Sequence, residues 1–162
     1  MEPYQLVYST LEKMNIPYKV VEHPPALTTE EADSYIVGKE GVRTKTLFLT
    51  NKKKTTYYLV VMDEAKHLDM EHLAKILHEK RISFGSPERL MKKLALSPGF
   101  VSIFGLLNND DHDVNVVLDQ EMLSEKWITF HPNDNTKTLF IATEDMYTFL
   151  TTIGYEYKIV EL

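Results

Sequence analysis

The 162-residue sequence contains no cysteine. This absence excludes thiolate catalysis, disulfide bonds and cysteine-ligated zinc. Long hydrophobic runs are also missing, because no apolar stretch approaches the roughly 20 residues that cross a bilayer. The sequence begins Met-Glu-Pro-Tyr, whose one charged side chain is acidic, and it lacks the basic and then apolar pattern of a secretory signal. We therefore expect a cytoplasmic protein with no membrane partner.

Basic residues are scarce relative to acidic ones. The chain has 18 lysines and arginines against 24 aspartates and glutamates, and its formal net charge is −6. Broad binding to a nucleic-acid backbone usually requires a strongly basic domain, so we expect no DNA partner and only local contacts with any RNA. The lysines at 52–54 are interpreted as an exposed turn and the basic residues at 89–93 as a polar helix face, although either group is able to contact an RNA backbone.

The common catalytic and metal-binding motifs are absent. The sequence has no Gly-x-Ser-x-Gly elbow, no phosphate-binding loop and no His-Glu-x-x-His. The histidines between residues 67 and 78 are five and six residues apart, which puts no pair on one helical face. A calcium-loop pattern that starts at Asn109 has Val114 and Gln120 where glycine and glutamate belong, so it is interpreted as a solvated turn. We expect no metal ion and no other cofactor.

The composition is that of a globular protein, with 43% hydrophobic and 26% charged residues, and the length suits one domain spanning 1–162. Apolar periodicity and turn residues predict helices at 4–15, 28–37, 68–77, 86–94 and 143–153. They predict strands at 18–21, 44–51, 56–63, 114–118, 127–131, 136–142 and 155–160. Adjacent strands mixed with helices favour an α/β (α+β) fold, with a mixed and mostly antiparallel β-sheet flanked by helices.

The segment 98–110 carries two glycines, Gly99 and Gly105, on either side of a short apolar stretch. Glycine permits φ values closed to other residues and lets a backbone approach a ligand closely. Ser102 is the polar side chain between them. Four apolar side chains there are candidates to line a pocket: Phe100, Val101, Ile103 and Phe104. The segment is either such a binding loop or a core strand with a bulge at each end.

Two further residues are candidates for a site. Lys45 opens a strand of apolar residues and threonines, near Lys39 and Arg43, and is either a point charge directed toward a phosphate or a strand-end lysine in water. His131 begins a polar turn directly after a strand. It is either a pocket residue or a satisfied structural histidine.

Four motifs in order give the sequence a resemblance that covers nearly the whole chain. They are 22–25 followed by 28–32, then 45–49, then 98–108, and finally 130–136. In order and spacing these motifs resemble the bacterial aminoacyl-tRNA deacylases, the YbaK-like relatives of the editing insertion domain of prolyl-tRNA synthetase. The nearest branch is similar to the enzymes that remove alanine from tRNA(Pro) in trans.

The resemblance implies hydrolysis of the ester between an amino acid and the terminal adenosine of tRNA, with water as the nucleophile and the 2′-hydroxyl assisting. It implies a catalytic set made of Lys45, Gly99, Ser102 and Gly105, in which Lys45 positions the terminal phosphate and adenosine. It implies substrate contacts from Thr46, Phe100, Val101, Ile103, Phe104, Asn108 and His131. The implied partners are the acceptor end of tRNA and prolyl-tRNA synthetase, and we expect a monomer.

Two positions depart from the pattern of the family. Thr46 stands where the family commonly has asparagine, and Ile103 stands where its Gly-x-x-x-Pro loop has proline. At Thr46 an amide contact to the substrate is either lost or replaced by a hydroxyl, and Ile103 changes the expected shape of the pocket and its amino-acid preference. A pocket discriminates one methylene by only about 1–3 kcal/mol. Removal of serine, cysteine or another small amino acid is therefore an alternative. A non-catalytic module that binds an aminoacyl end or a synthetase is another.

Overall fold

The computed structural model describes residues 2–25 and 28–162. In chain order the helices α1 to α5 span Pro3–Lys13, Thr29–Ser34, Met70–Ile76, Pro87–Leu94 and Thr143–Thr152. The strands β1 to β8 span Lys19–Glu22, Thr44–Asn51, Tyr57–Asp63, Ile82–Phe84, Val114–Asp119, Trp127–Phe130, Lys137–Ala142 and Tyr157–Val160. Two 3₁₀ helices cover Ile103–Asn108 and Gln120–Ser124. The predicted helix at 28–37 overlaps α2. The side chain of Ala32, which belongs to the motif at 28–32, lies outside the described part of the structure.

Side chains at the helix starts explain two of the helix boundaries. Ser86 Oγ accepts a hydrogen bond from Arg89 N at 3.1 Å, so α4 begins at the N-cap that the sequence predicts. The prediction that Thr143 caps α5 is wrong, because Thr143 is the first helical residue and Ala142 occupies the cap position. The Thr143 hydroxyl instead donates to Glu125 O at 2.6 Å and ties α5 to the preceding loop.

The strands of the described residues form two sheets. One has five strands in the order β4-β2-β3-β5-β8, in which β2 is antiparallel to both neighbours while β3-β5 and β5-β8 are parallel. The other has three antiparallel strands in the order β1-β7-β6. A parallel bridge between Val42 and Ile128 links them. The predicted fold class is confirmed, and the structure divides the strands between two sheets where the sequence suggested one.

Two clusters of apolar side chains hold these layers together. The larger cluster combines side chains from both sheets with those of α1, α4 and α5, and the smaller one lies beneath α3 on the opposite face of the five-stranded sheet. Strand β3 is buried along six of its seven residues, as its continuous apolar sequence predicts for a central strand. In the part of the chain that the structure describes, no helix is long and apolar enough to cross a bilayer.

Candidate functional site

A cavity of about 310 Å³ lies where β2, the loop that follows α4 and the end of β6 meet. Five of the residues predicted for the site line it: Lys45, Thr46, Gly99, Val101 and His131. These residues come from three distant parts of the chain. The structure therefore brings the charged, glycine-containing and histidine-containing motifs of the sequence to one place.

The backbone of β2 contributes to the cavity because its first half is a free edge. Strand β4 pairs with β2 only from Leu49 onward, and Gly85 N donates to Phe48 O at 2.9 Å just before that pairing begins. In an antiparallel strand, alternate residues direct both backbone groups to the same side. The N–H and C=O of Thr46 therefore point to the side of Phe48 O, where no strand within residues 2–25 and 28–162 covers them and the cavity lies.

Lys45 is held at the cavity by the segment after β3. Its Nζ donates to the carbonyl oxygen of Lys66. Lys66 is itself fixed, because its Nζ lies 2.7 Å from a carboxylate oxygen of Glu121 and 2.9 Å from one of the buried Asp119. These hydrogen bonds raise the pKa of Lys66 above its ordinary value. Lys45 thus lines the cavity, and its ammonium group has a defined anchor and the charge that pairs with a phosphate.

Gly99 has a φ of +102°, which side chains of L-residues rarely adopt. The prediction that a glycine at this position permits a φ value closed to other residues is therefore confirmed. Gly99 is exposed and lines the cavity together with Pro98 and Val101. Phe100, between them, is half-buried and packs against the larger apolar cluster, and it is not among the lining residues.

The second half of the segment packs in the core as a 3₁₀ helix, which is neither the bulged strand nor the pocket lining that the sequence suggested. Ser102, Ile103 and Phe104 are fully buried, and none of them lines the cavity. Ser102 Oγ accepts a hydrogen bond from Phe104 N at 3.2 Å and caps the 3₁₀ helix Ile103–Asn108. The Phe104 ring makes edge contacts with Phe130 and Phe149 at centroid distances of 5.8 and 5.0 Å. The Ile103 and Phe104 side chains pack against other apolar groups, away from the cavity.

Gly105 and Asn108 also contact other parts of the protein, at the end of α4. A Cβ on Gly105 would lie 2.7 Å from Leu96 Cδ1 and 3.0 Å from Leu94 Cβ, so this glycine allows the 3₁₀ helix to pack closely on the end of α4. Asn108 Nδ2 donates to Leu94 O at 3.2 Å and reinforces the same contact. The expectation that Gly105 admits a ligand is therefore corrected, because the close neighbours are protein atoms.

His131 is a neutral imidazole with one committed nitrogen. Its Nδ1 lies 3.0 Å from Lys137 O, and because a carbonyl oxygen only accepts, Nδ1 carries the proton. Burial lowers the pKa of His131 below its ordinary value of 6.5. Within residues 2–25 and 28–162, Nε2 has no hydrogen-bond partner. It is the nitrogen left to accept a hydrogen bond from a bound molecule.

The threonine hydroxyls that line the cavity are mostly engaged. Thr44 donates to Thr129 O at 2.6 Å, and Thr129 donates to Val42 O at 2.9 Å. Thr138 Oγ1 lies 3.0 Å from Nε2 of His23, whose Nδ1 donates to Pro24 O at 2.9 Å. Among the residues that the structure describes, Thr46 Oγ1 has no such partner. The cavity thus offers one free threonine hydroxyl and no activated nucleophile.

Several lining residues were missed by sequence reasoning. Phe84, 64% exposed, and Gly85 lie at the end of β4, a strand of three residues that is too short to show periodicity. A Cβ on Gly85 would lie 2.4 Å from the Phe48 ring, so close packing requires this glycine.

Two carboxylates also line the cavity, Asp33 and Glu64. Burial raises the pKa of Asp33, and the positive charge of Arg43 opposes that shift. Arg43 itself is directed at backbone carbonyls, since its guanidinium donates to Gly41 O at 2.7 Å and to Ile36 O at 2.8 Å. No signal in the sequence marks these acids, because their approach depends on how α2 and the segment after β3 pack.

Comparison with known proteins identifies relatives along the whole chain. A family model described as an aminoacyl-tRNA editing domain matches residues 23–149. The chain is 34% identical over 162 residues to prolyl-tRNA editing protein ProX of Acetoanaerobium sticklandii, which covers 100% of this chain and 99% of that protein. It is 33% identical over 150 residues to prolyl-tRNA synthetase associated domain-containing protein 1 of Bos taurus, covering 90% and 87% of the two chains.

Solved structures share the fold. A protein proposed to be a trans-editing enzyme for prolyl-tRNA synthetase superimposes with a TM-score of 0.76 at 19% identity, over 100% of this chain and 97% of that one. The hypothetical protein APE2540 superimposes with a TM-score of 0.77 at 15% identity, over 96% and 97% of the two chains. At these identities the likeness shows the arrangement of helices and strands.

Proposed function

Because this chain belongs to the aminoacyl-tRNA editing family, and is therefore a hydrolase that deacylates mischarged tRNA, we propose that its substrate is alanyl-tRNA(Pro). We propose further that residues 1–162 form one editing domain that acts in trans as a cytoplasmic monomer, with prolyl-tRNA synthetase as a protein partner. Full-length similarity to a prolyl-tRNA editing protein supports the single domain and the choice of tRNA.

The observation that carries the proposal is the meeting of Lys45, the Gly99–Val101 loop and His131 in one small cavity. Each residue has a different chemical capacity. The anchored ammonium of Lys45 pairs with the terminal phosphate, and the loop places backbone groups beside the aminoacyl ester. His131 forms part of the wall that limits the amino-acid side chain.

Hydrolysis in this cavity depends on positioning, since the lining offers no activated nucleophile. A water molecule attacks the ester carbonyl, and the 2′-hydroxyl of the adenosine assists. Backbone N–H groups at the free edge of β2, such as that of Thr46, and in the Gly99 loop are the donors for the developing oxyanion. One such donor contributes about 3 kcal/mol to transition-state stabilisation. Holding the ester and water together supplies much of the remainder.

Other lining groups match the remaining parts of the substrate. The exposed ring of Phe84 at the cavity edge is suited to stacking against the terminal adenine. The carboxylates of Asp33 and Glu64 are suited to the α-ammonium group of the amino acid. The free hydroxyl of Thr46 takes the place of the asparagine amide that is common in the family.

The size of the cavity favours a small amino acid. Its volume of about 310 Å³ must hold both the aminoacyl group and part of the adenosine. Ile103, which replaces the proline of the family loop, is fully buried and affects the pocket through the position of the loop and not by contact. Alanine is the best match to this arrangement, with serine and cysteine as close competitors.

The test is hydrolysis over a panel of tRNA(Pro) charged with alanine, serine, cysteine or proline. We expect alanyl-tRNA(Pro) to be deacylated fastest. Lys45→Ala is expected to lower kcat/KM by about 100-fold or more with an unchanged circular dichroism spectrum, because the charge that holds the phosphate is lost. Lys80→Ala, at an exposed lysine away from the cavity, is the matched control.

The outcomes separate the alternatives. Preferred release of serine or cysteine would keep the reaction and change the substrate. Binding of charged tRNA without turnover above the spontaneous rate would make the chain a binding module. Full activity of Lys45→Ala would remove the proposed role of that residue.

A further inference from the structure

A second groove lies beside β1, the edge strand of the three-stranded sheet. Its volume of about 650 Å³ is roughly twice that of the candidate site. Three aromatic rings and two lysines line it: Tyr18, Trp127, Phe140, Lys19 and Lys39. The proposed reaction does not use any of these residues. Trp127 is the single tryptophan of the chain and is only half-buried.

The groove and the candidate site share one face of the three-stranded sheet. Lys19 pairs with Phe140, and Phe140 pairs with Thr129, so these three side chains project from the same face. Thr138 projects from this face as well, two residues from Phe140 on β7. Thr129 and Thr138 line the site, whereas Lys19 and Phe140 line the groove. Two residues along a strand span only about 7 Å, so the two concavities are neighbours.

The segment 41–43 lies between the groove and the site and packs against the sheet. A Cβ on Gly41 would lie 3.2 Å from Phe140 and 3.3 Å from Thr129, which shows how closely this backbone packs on the sheet. The guanidinium of Arg43 lies 5.6 Å from the centroid of the Phe140 ring and adds a positive charge at the boundary. The segment 41–43 therefore separates the two concavities on this face, and an RNA strand that joins them would pass over it.

The chemistry of the groove matches single-stranded RNA. The half-buried rings of Tyr18 and Trp127 provide surfaces on which bases stack, whereas Phe140 is buried beneath Gly41 and Arg43. Lysines pair with phosphates. Lys126 lies 5.8 Å from the centroid of the Trp127 ring and adds to the positive charge. Against these cations, Glu40 is the single acid among the groove's lining residues. This local excess of positive charge stands out in a chain whose formal net charge is −6.

We propose that this groove binds the unpaired nucleotides that precede the terminal adenosine of the substrate tRNA. The inference rests on the proposed function, because it takes the terminal adenosine to lie in the candidate site. The 3′ end of a tRNA is single-stranded, which suits a stacking groove better than a duplex-binding surface. The groove would hold the RNA strand while the adjacent cavity holds the aminoacyl group.

The first experiment compares two substrates, alanyl-tRNA(Pro) and alanyl-adenosine, which lacks the preceding nucleotides. The double variant Lys19→Glu/Lys39→Glu reverses two exposed charges in the groove. We expect it to raise KM for the tRNA by about 10-fold or more and to leave kcat/KM for alanyl-adenosine unchanged. Lys80→Glu/Lys158→Glu makes the same change in net charge at exposed positions outside both concavities and is the control. Equal KM values for the tRNA in the wild type and the groove variant would overturn the proposal while the proposed function stands.

The second experiment measures the binding of RNA to the groove without catalysis. The RNA tetranucleotide ACCA should quench the fluorescence of Trp127, whereas adenosine alone should not. We expect the groove variant to raise the dissociation constant for ACCA about 10-fold and to make binding less dependent on salt concentration. The control variant should leave both properties unchanged.

An emission spectrum that ACCA does not alter would overturn the proposal even if deacylation is intact. Quenching that persists in a chain with no deacylase activity would support the groove and refute the proposed function. Loss of synthetase binding in the groove variant with unchanged RNA binding would assign the groove to a protein partner and overturn the proposal.

Discussion

The two halves of the segment 98–108 have the same apolar character and opposite roles. Gly99 is exposed, has a φ of +102° and lines the cavity, whereas Gly105 is buried against side-chain atoms of Leu94, at the end of α4, and of Leu96. One glycine is required by the conformation of the backbone, and the other by the space available. The comparison shows that two glycines in one motif need not serve the same ligand.

The largest change in stability is expected from Gly105→Ala. The added methyl group would overlap Leu96 Cδ1 and Leu94 Cβ in a fully packed region, and overpacking of this kind costs about 1–3 kcal/mol. Urea unfolding measures the change. Deacylation per folded molecule should stay close to that of the wild type, because Gly105 does not line the cavity. A specific loss of activity with unchanged stability would place Gly105 back in the site.

Gly99→Ala is expected to reverse that pattern. The backbone at φ +102° is strained for alanine, but the loop is exposed and can shift, so we expect about 1 kcal/mol or less of destabilisation. The shift would displace the loop from the ester and lower kcat about 10-fold. Gly154→Ala is the matched control, since Gly154 has a φ of +91° and lies outside the cavity. If both variants lose activity equally, the effect of Gly99 is one of general strain.

The smallest effect concerns the pH dependence contributed by His131. Burial lowers its pKa in the folded state, so the unfolded chain binds the proton more readily. The stabilisation is complete above the ordinary value of 6.5 and declines as the pH falls toward the lowered value, by at most about 1.4 kcal/mol per pH unit.

Urea unfolding at about pH 7.5 and about pH 5 tests this pH dependence. The wild type should lose more stability between the two conditions than His131→Gln does. His78→Gln, at an exposed histidine, should behave like the wild type. Equal losses in the wild type and His131→Gln would show that the imidazole of His131 is readily protonated in the folded chain.

The sequence predicts strand β2 and does not predict strand β4. Strand β2 has the bounds that its sequence predicts, Thr44–Asn51, because eight residues of β-forming character end in a clear turn. Strand β4 was missed, since three residues carry no periodicity and its pairing with Leu49 depends on a distant strand. The same omission concealed Phe84 and Gly85, which both line the cavity.

The site shows a similar division. Motif order grouped Lys45, the Gly99 loop and His131, and the structure places all three at one cavity. The apolar character of 100–104 did not separate cavity lining from core, because both environments select the same side chains. Phe104 illustrates this, since its ring is packed between other phenylalanines and its sequence neighbour Ser102 serves as a helix cap.

The amino-acid sequence by itself determined the local features of this protein: the amphipathic helices, the Ser86 cap, the glycine at 99 and the class of the fold. These follow from interactions between residues close in the chain, which composition and spacing express directly. Only the tertiary structure decided that Thr46 lies at a free strand edge, that Lys45 is anchored to Lys66, and that Lys19, Phe140 and Thr129 share a face. Those relations depend on strand register and on contacts between distant segments, and a shift of one residue in register would send each side chain to the other face.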